Sequence, residues 1–190
     1  PLRPGTGCGT FILTAYSLCL QFASSQEPLY SSMAAITDDV KTNVKASWAE
    51  VSKKDATETG LVMFSKLFTD NPEAMHLFPF AKSCKSIEEI GDSARLKKHV
   101  TGVINTVGAA VAGLDDLGAL VPVLKDLGAK HHQYKVNEAY FGMVGAALLF
   151  ALEKASGDVW NDAVKDSWVA VYGVVIDVMT QGMKQARGEA

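Results

Sequence analysis

Cysteine is scarce in this chain of 190 residues: Cys8, Cys19 and Cys84 are all there is. Three thiols cannot build a disulfide framework, and their spacing is not that of a zinc site. Neither sign of charge dominates, with 18 Lys and Arg against 21 Asp and Glu and a net charge of -3. That removes the basic face on which nucleic-acid binding normally rests. The longest apolar stretch near the start, Phe11 to Ala23 (FILTAYSLCLQFA), is too short and too interrupted by Thr, Ser and Gln to span a bilayer. Aliphatic side chains, by contrast, are plentiful. At 48% hydrophobic residues the chain is no disordered polymer, and its length suffices for one well-buried core.

The composition changes near residue 36. Residues 1–36 hold three of the six prolines, Gly5, Gly7 and Gly9, and only two charges, Arg3 and Glu27. An upstream extension with Met33 as the natural start fits this segment. The alternative is a cleaved leader, with Ala23-Ser24-Ser25 as its small-residue site, although its basic region is a lone Arg3. The expected division is therefore an N-terminal extension over 1–36 and a folded domain over 37–190. Cys8 and Cys19 are then dispensable to the fold. A single cysteine in the domain favours the cytoplasm, or an extracellular location should residues 1–25 be a cleaved signal.

Beyond the extension the periodicity is helical. Thr37 can cap a first helix, followed by Asp38 and Asp39 at its positive end, with Val40, Val44, Trp48 and Val51 on its apolar face. A second presents Leu61, Phe64 and Phe68 and must stop near Asn71-Pro72. Ser86 to Glu89 reads as a capping box. Leu96, His99, Val100, Val103, Val107 and Ala110 share the next stripe, and a helix after Pro122 shows Val123, Leu124, Leu127 and His131. Two long helices follow. One carries Phe141, Val144, Leu148 and Leu152 behind an Asn137 cap; the other runs from Trp160 through Val164, Trp168, Val171 and Val175 to Met179, behind Asp158. No period-2 strand competes. The expected class is all-α, with seven or eight helices.

Two histidines interrupt apolar stripes. His99 stands between Leu96 and Val103, and His131 continues Leu120, Leu124 and Leu127, whereas His132 follows Lys125 and Gly128 toward more polar surroundings. Most inward histidines are hydrogen-bonded core residues. Two of them on different helices also suit a metal, since neutral imidazole is its commonest ligand. They are too few for a protein-only zinc site. A haem iron brings four nitrogens of its own and needs only one or two more. With no Cys-x-x-Cys-His motif, such a haem would be held without thioether links.

Residues 37–187 resemble a globin. The resemblance rests on Val44-Lys-Ala-Ser-Trp48, on Gly60 to Phe78 (GLVMFSKLFTDNPEAMHLF), on Leu96-Lys-Lys-His99 with Val103, and on Leu127-Gly-Ala-Lys-His131 with Val136 five residues on. The long last helix and the Leu-Gly-x-Lys-His phrase are closer to neuroglobin-like, cytoglobin-like and invertebrate globins. Carried over residue by residue, the resemblance implies haem b as cofactor and His131 as proximal iron ligand. It makes His99 the distal residue, Phe78 a wedge against the haem face, and Phe64 and Val103 distal lining. Leu127, Val136, Tyr140 and Phe141 would pack on the proximal side and haem edge. The second aromatic that often follows the wedge is not cleanly reproduced by Phe80-Ala81. The implied activity is reversible binding of O2, with CO and NO as further gaseous ligands. The enzymatic and sensing alternatives use the same iron, with His99 as a sixth ligand or Cys84, flanked by Lys82 and Lys85, as a redox switch. An inert thiol and a mainly five-coordinate ferrous iron are the expected state.

Overall fold

The computed structural model describes residues 33–79, 81, 89–90 and 92–189. Cys8, Cys19, Cys84, Phe80 and the Ser86 capping box lie outside the described residues. Within them the chain is helical: α1 (Asp38–Val51), α2 (Ala56–Asp70), a 3-10 helix (Pro72–Leu77), α3 (Ala94–Ala112), α4 (Leu117–Gln133), α5 (Ala139–Ser156) and α6 (Asp162–Arg187). Two short 3-10 turns, Gly113–Asp115 and Gly157–Val159, complete the order. The all-α expectation holds.

Helix ends follow local chemistry. The Thr37 side chain accepts the Val40 N–H at 3.3 Å, and Asp55 accepts that of Glu58 at 2.9 Å. That bond holds the Asp55 carboxyl below its ordinary range. Two boundaries differ from the sequence reading. α4 begins at Leu117, ahead of Pro122, because Asp116 accepts the Ala119 N–H at 3.0 Å and starts the helix early. Pro122 is the sixth residue of α4, so the helix forgoes the bond that an N–H there would make to the Gly118 carbonyl. α6 is capped by Asn161, which accepts the Val164 N–H at 3.0 Å, while Asp158 belongs to the preceding 3-10 turn. Trp160 therefore stands before the helix it was expected to open.

The core is one cluster joining all six helices. α1 and α6 meet through a buried polar relay. The Trp168 Nε1–H donates to Ser47 Oγ at 2.9 Å, and Ser47 in turn donates to the carbonyls of Asn43 and Val44. α2 and α3 cross at Gly60, where a Cβ would lie 2.7 Å from the Val100 Cβ. α4 and α6 approach backbone to backbone, with Gly128 against Met179 and Gly182 against Lys125. Among the described residues α5, with the turn after it, is apolar and long enough to cross a membrane. It serves here as a core helix, burying Phe141, Leu148, Ala151 and Leu152 against α2, α1 and α6.

Candidate functional site

His131 sits in the last turn of α4, and its Nδ1 lies 2.8 Å from the Leu127 carbonyl. A carbonyl can only accept, so Nδ1 carries a proton, and in the neutral ring Nε2 keeps its lone pair. This is the arrangement of a metal-ligating imidazole, whose second nitrogen is tied to an acceptor that sets ring orientation. The Phe141 ring meets the His131 ring edge to face, with centroids 5.8 Å apart. His131 is thus held by its own helix from behind and by α5 from the side.

His99 projects from α3 toward an aromatic cluster. Its ring lies 5.4 Å from that of Phe64 and 5.5 Å from that of Phe78, both at steep angles. Phe64 and Phe78 are 5.6 Å apart, and Phe68 touches both, at 5.7 Å and 5.5 Å. Sequence periodicity had placed Phe68 in the core without a role here; its i, i+4 relation to Phe64 was the available signal. His99 is exposed as a residue, yet this apolar wall on one side desolvates the ring. Burial lowers the His99 pKa below its ordinary 6.5, and the charge of His131 lowers it further. The two histidines therefore lie within charge range of each other, and burial favours the neutral form of His99. Among the described residues, no three His, Cys, Asp or Glu side chains gather at one point. The donor set is two imidazoles, which suits a metal arriving with ligands of its own.

The remaining expected residues lie on α3, α4, α5 and the link between α4 and α5. Val103, Leu127 and Val136 are half-buried against the core. Val136 also bonds back to the His131 carbonyl through its N–H at 3.1 Å. Phe141 is buried, and Tyr140 is half-buried in the first turn of α5. His132 is half-buried as well, and its charge reaches Glu189 beyond the end of α6. The face it shares with Lys125 and Gly128, expected to be polar, is the one that meets α6. Gly128 is buried there because a helix without Cβ presents backbone, not polarity.

A lowered His99 pKa has a sign. The unfolded chain binds the His99 proton at higher pH than the folded one, so stability falls as pH drops through 6.5 toward the folded value. The melting temperature of the protein should decline between pH 7 and pH 5. In His99→Gln that decline should be shallower, and an unchanged slope would count against a desolvated His99.

Comparison with known proteins places this geometry in context. The globin family model matches residues 61–179. The neuroglobins of Chaenocephalus aceratus and Dissostichus mawsoni are each 34% identical over 150 residues, covering 79% of this chain and 94% of theirs. Among solved structures, a hexacoordinated heme protein from an anhydrobiotic tardigrade superposes with a TM-score of 0.72 at 23% identity. That match covers 78% of this chain and 95% of the other. A Drosophila melanogaster globin follows at 0.69 and 19% identity, over 76% and 94% of the two chains. At such identities the structures speak for the fold alone. The resemblance to neuroglobin-like chains, drawn from the last helix and the His131 phrase, agrees with the sequence matches.

Proposed function

The chain belongs to the globin family, and on that premise we propose that it binds O2 reversibly at the ferrous iron of a non-covalently held haem b. The observation that carries this reading is the His131 ring, tied through Nδ1 to Leu127 so that Nε2 can ligate, within charge range of a neutral His99. Haem, when bound, would supply an iron able to take a diatomic gas such as O2, CO or NO.

The chain's own residues do the rest. His131 is the proximal ligand, and the Leu127 carbonyl raises its basicity while fixing its orientation. Leu127, Val136, Tyr140 and Phe141 pack on the proximal side and edge. Phe64, Phe78 and Val103 form apolar distal walls that exclude water, with Phe68 behind them. His99 stays neutral among these rings and so keeps one N–H as a donor toward the gas. Hydrogen bonds to a charged or polarised acceptor contribute about 1.5–3 kcal/mol. The buried Leu96 and Val100 anchor the turn that carries His99, which favours His99 acting as a donor to the gas over binding the metal itself.

A second reading makes His99 the sixth ligand in the deoxy state. It draws on the charge coupling between His99 and His131 and on the hexacoordinated tardigrade protein of the same fold. The ferrous absorption spectrum separates the two. Broad visible bands in the wild type support the open site, and His99→Leu should then hasten O2 dissociation by about tenfold, the equivalent of about 1.4 kcal/mol. Sharp, split bands that broaden in His99→Leu would establish the second reading instead. Acid-acetone should extract the haem from either form; failure to extract it would contradict non-covalent attachment.

A further inference from the structure

The side chain that packs on His131 is itself held from a third helix. Tyr172 lies on α6, and its hydroxyl donates to the Phe141 carbonyl at 2.8 Å. Phe141 belongs to the first turn of α5, and its ring is the one that meets His131. The carbonyl of residue 141 already faces the N–H of residue 145 along the helix. The phenol therefore adds a second donor to an acceptor that has two lone pairs.

Residue 145 makes this contact sterically possible. Gly145 is buried beneath the Tyr172 ring, and a Cβ there would lie 2.9 Å from Cδ1 and 3.2 Å from Cζ, with Cε1 closer still. Any larger residue would push the ring aside and draw its hydroxyl away from Phe141. Burial raises the phenol pKa above its ordinary value, so the group remains a donor throughout the physiological range.

From this chain of contacts we infer that Tyr172 is a positioning residue for His131, acting through the backbone and ring of Phe141, with Gly145 as the opening that admits it. The inference rests on His131 being the iron ligand. Two fixings then act on one imidazole: Leu127 determines which nitrogen is protonated, and Tyr172 determines where the ring that flanks it sits. The first is local to α4. The second couples the ligand to α5 and α6, so that a displacement of the last helix is felt at the iron.

The test uses the haem-loaded protein and two readouts that do not depend on its activity. One is the iron–histidine stretching band in the resonance Raman spectrum after photolysis of the CO complex. The other is the rate of haem transfer to excess apomyoglobin. Tyr172→Phe should shift and broaden the band and quicken haem loss about fivefold, the loss of one ordinary hydrogen bond. Gly145→Ala, which keeps the hydroxyl but displaces the ring, should change the band in the same direction. Trp168→Phe is the structural control: it breaks the bond to Ser47 and should lower the melting temperature without moving the band. An unmoved band in Tyr172→Phe, or an equal shift in Trp168→Phe, would overturn the proposal while leaving His131 as ligand. A wild-type protein that binds no haem would overturn both.

Discussion

Replacing His131 by Ala is expected to strip the protein of stably bound haem, whereas His132→Ala should leave its absorption spectrum unchanged. The two residues are neighbours in sequence and one-third of a helical turn apart in space. His131 has its Nδ1 on the Leu127 carbonyl and its ring against Phe141. His132 turns toward the end of α6, within charge range of Glu189. Losing an outer-shell partner of a metal ligand already weakens affinity by about 10–100-fold, so losing the ligand should exceed that range. His132→Ala, a substitution away from the site, should alter haem affinity by no more than about twofold. Haem transfer to apomyoglobin measures both. If the two variants exchanged behaviour, the register of α4 would be wrong by one residue.

Gly128→Ala and Gly182→Ala should be the most destabilising conservative changes in the domain. A Cβ on Gly128 would fall inside the Met179 carbonyl group and 2.9 Å from the Met179 Cα; one on Gly182 would meet Lys125 in the same way, 2.8 Å from its Cα. Backbone atoms cannot rotate out of the way as a side-chain end can, so α4 and α6 must separate. Overpacking of a well-filled core costs about 1–3 kcal/mol, and these contacts belong at the upper end. For a domain of this size that is a drop of about 10 °C in Tm. Separation would also carry His131 with it, since Gly128 lies one turn before the ligand, so haem loss should quicken in step. Gly102, Gly142 and Gly173 provide the contrast. A Cβ at any of them meets nothing within 4 Å, and Ala there should stabilise its helix by about 0.5–1 kcal/mol. Equal melting temperatures for Gly128→Ala and Gly173→Ala would contradict the close approach.

The residues that faced inward on a single helix were legible in the sequence, because a period of three and four exposes them without reference to any neighbour. His99, His131 and Phe64 stood out by their place in such a stripe, although His99 stays exposed in the fold; the Asn71-Pro72 stop was legible from proline itself. What the periodicity could not supply was the identity of the neighbour. Lys125, Gly128 and His132 read as a polar face, yet α4 meets α6 there because two glycines let the backbones touch. Asp158 and Asn161 are equally good caps by type; the choice fell to Asn161 once Gly157, at a φ of 58°, ended α5 and a 3-10 turn used up the intervening residues. Pro122 looked like a boundary, but Asp116 had already started the helix five residues before the ring. Tyr172 gave no signal at all, since its partner is a backbone carbonyl on another helix, 31 residues away along the chain.

The central claim is that His131 holds a ferrous haem to which O2 binds and from which it leaves intact. Its most direct test is an oxygen equilibrium followed by absorption. The protein is reduced without O2, titrated with it, and then returned to the deoxy state under argon. Repeated cycles should retrace one pair of spectra with shared isosbestic points, and His131→Ala should show neither. Oxidation to the ferric form on first exposure, with no recoverable deoxy spectrum, would contradict reversible O2 binding.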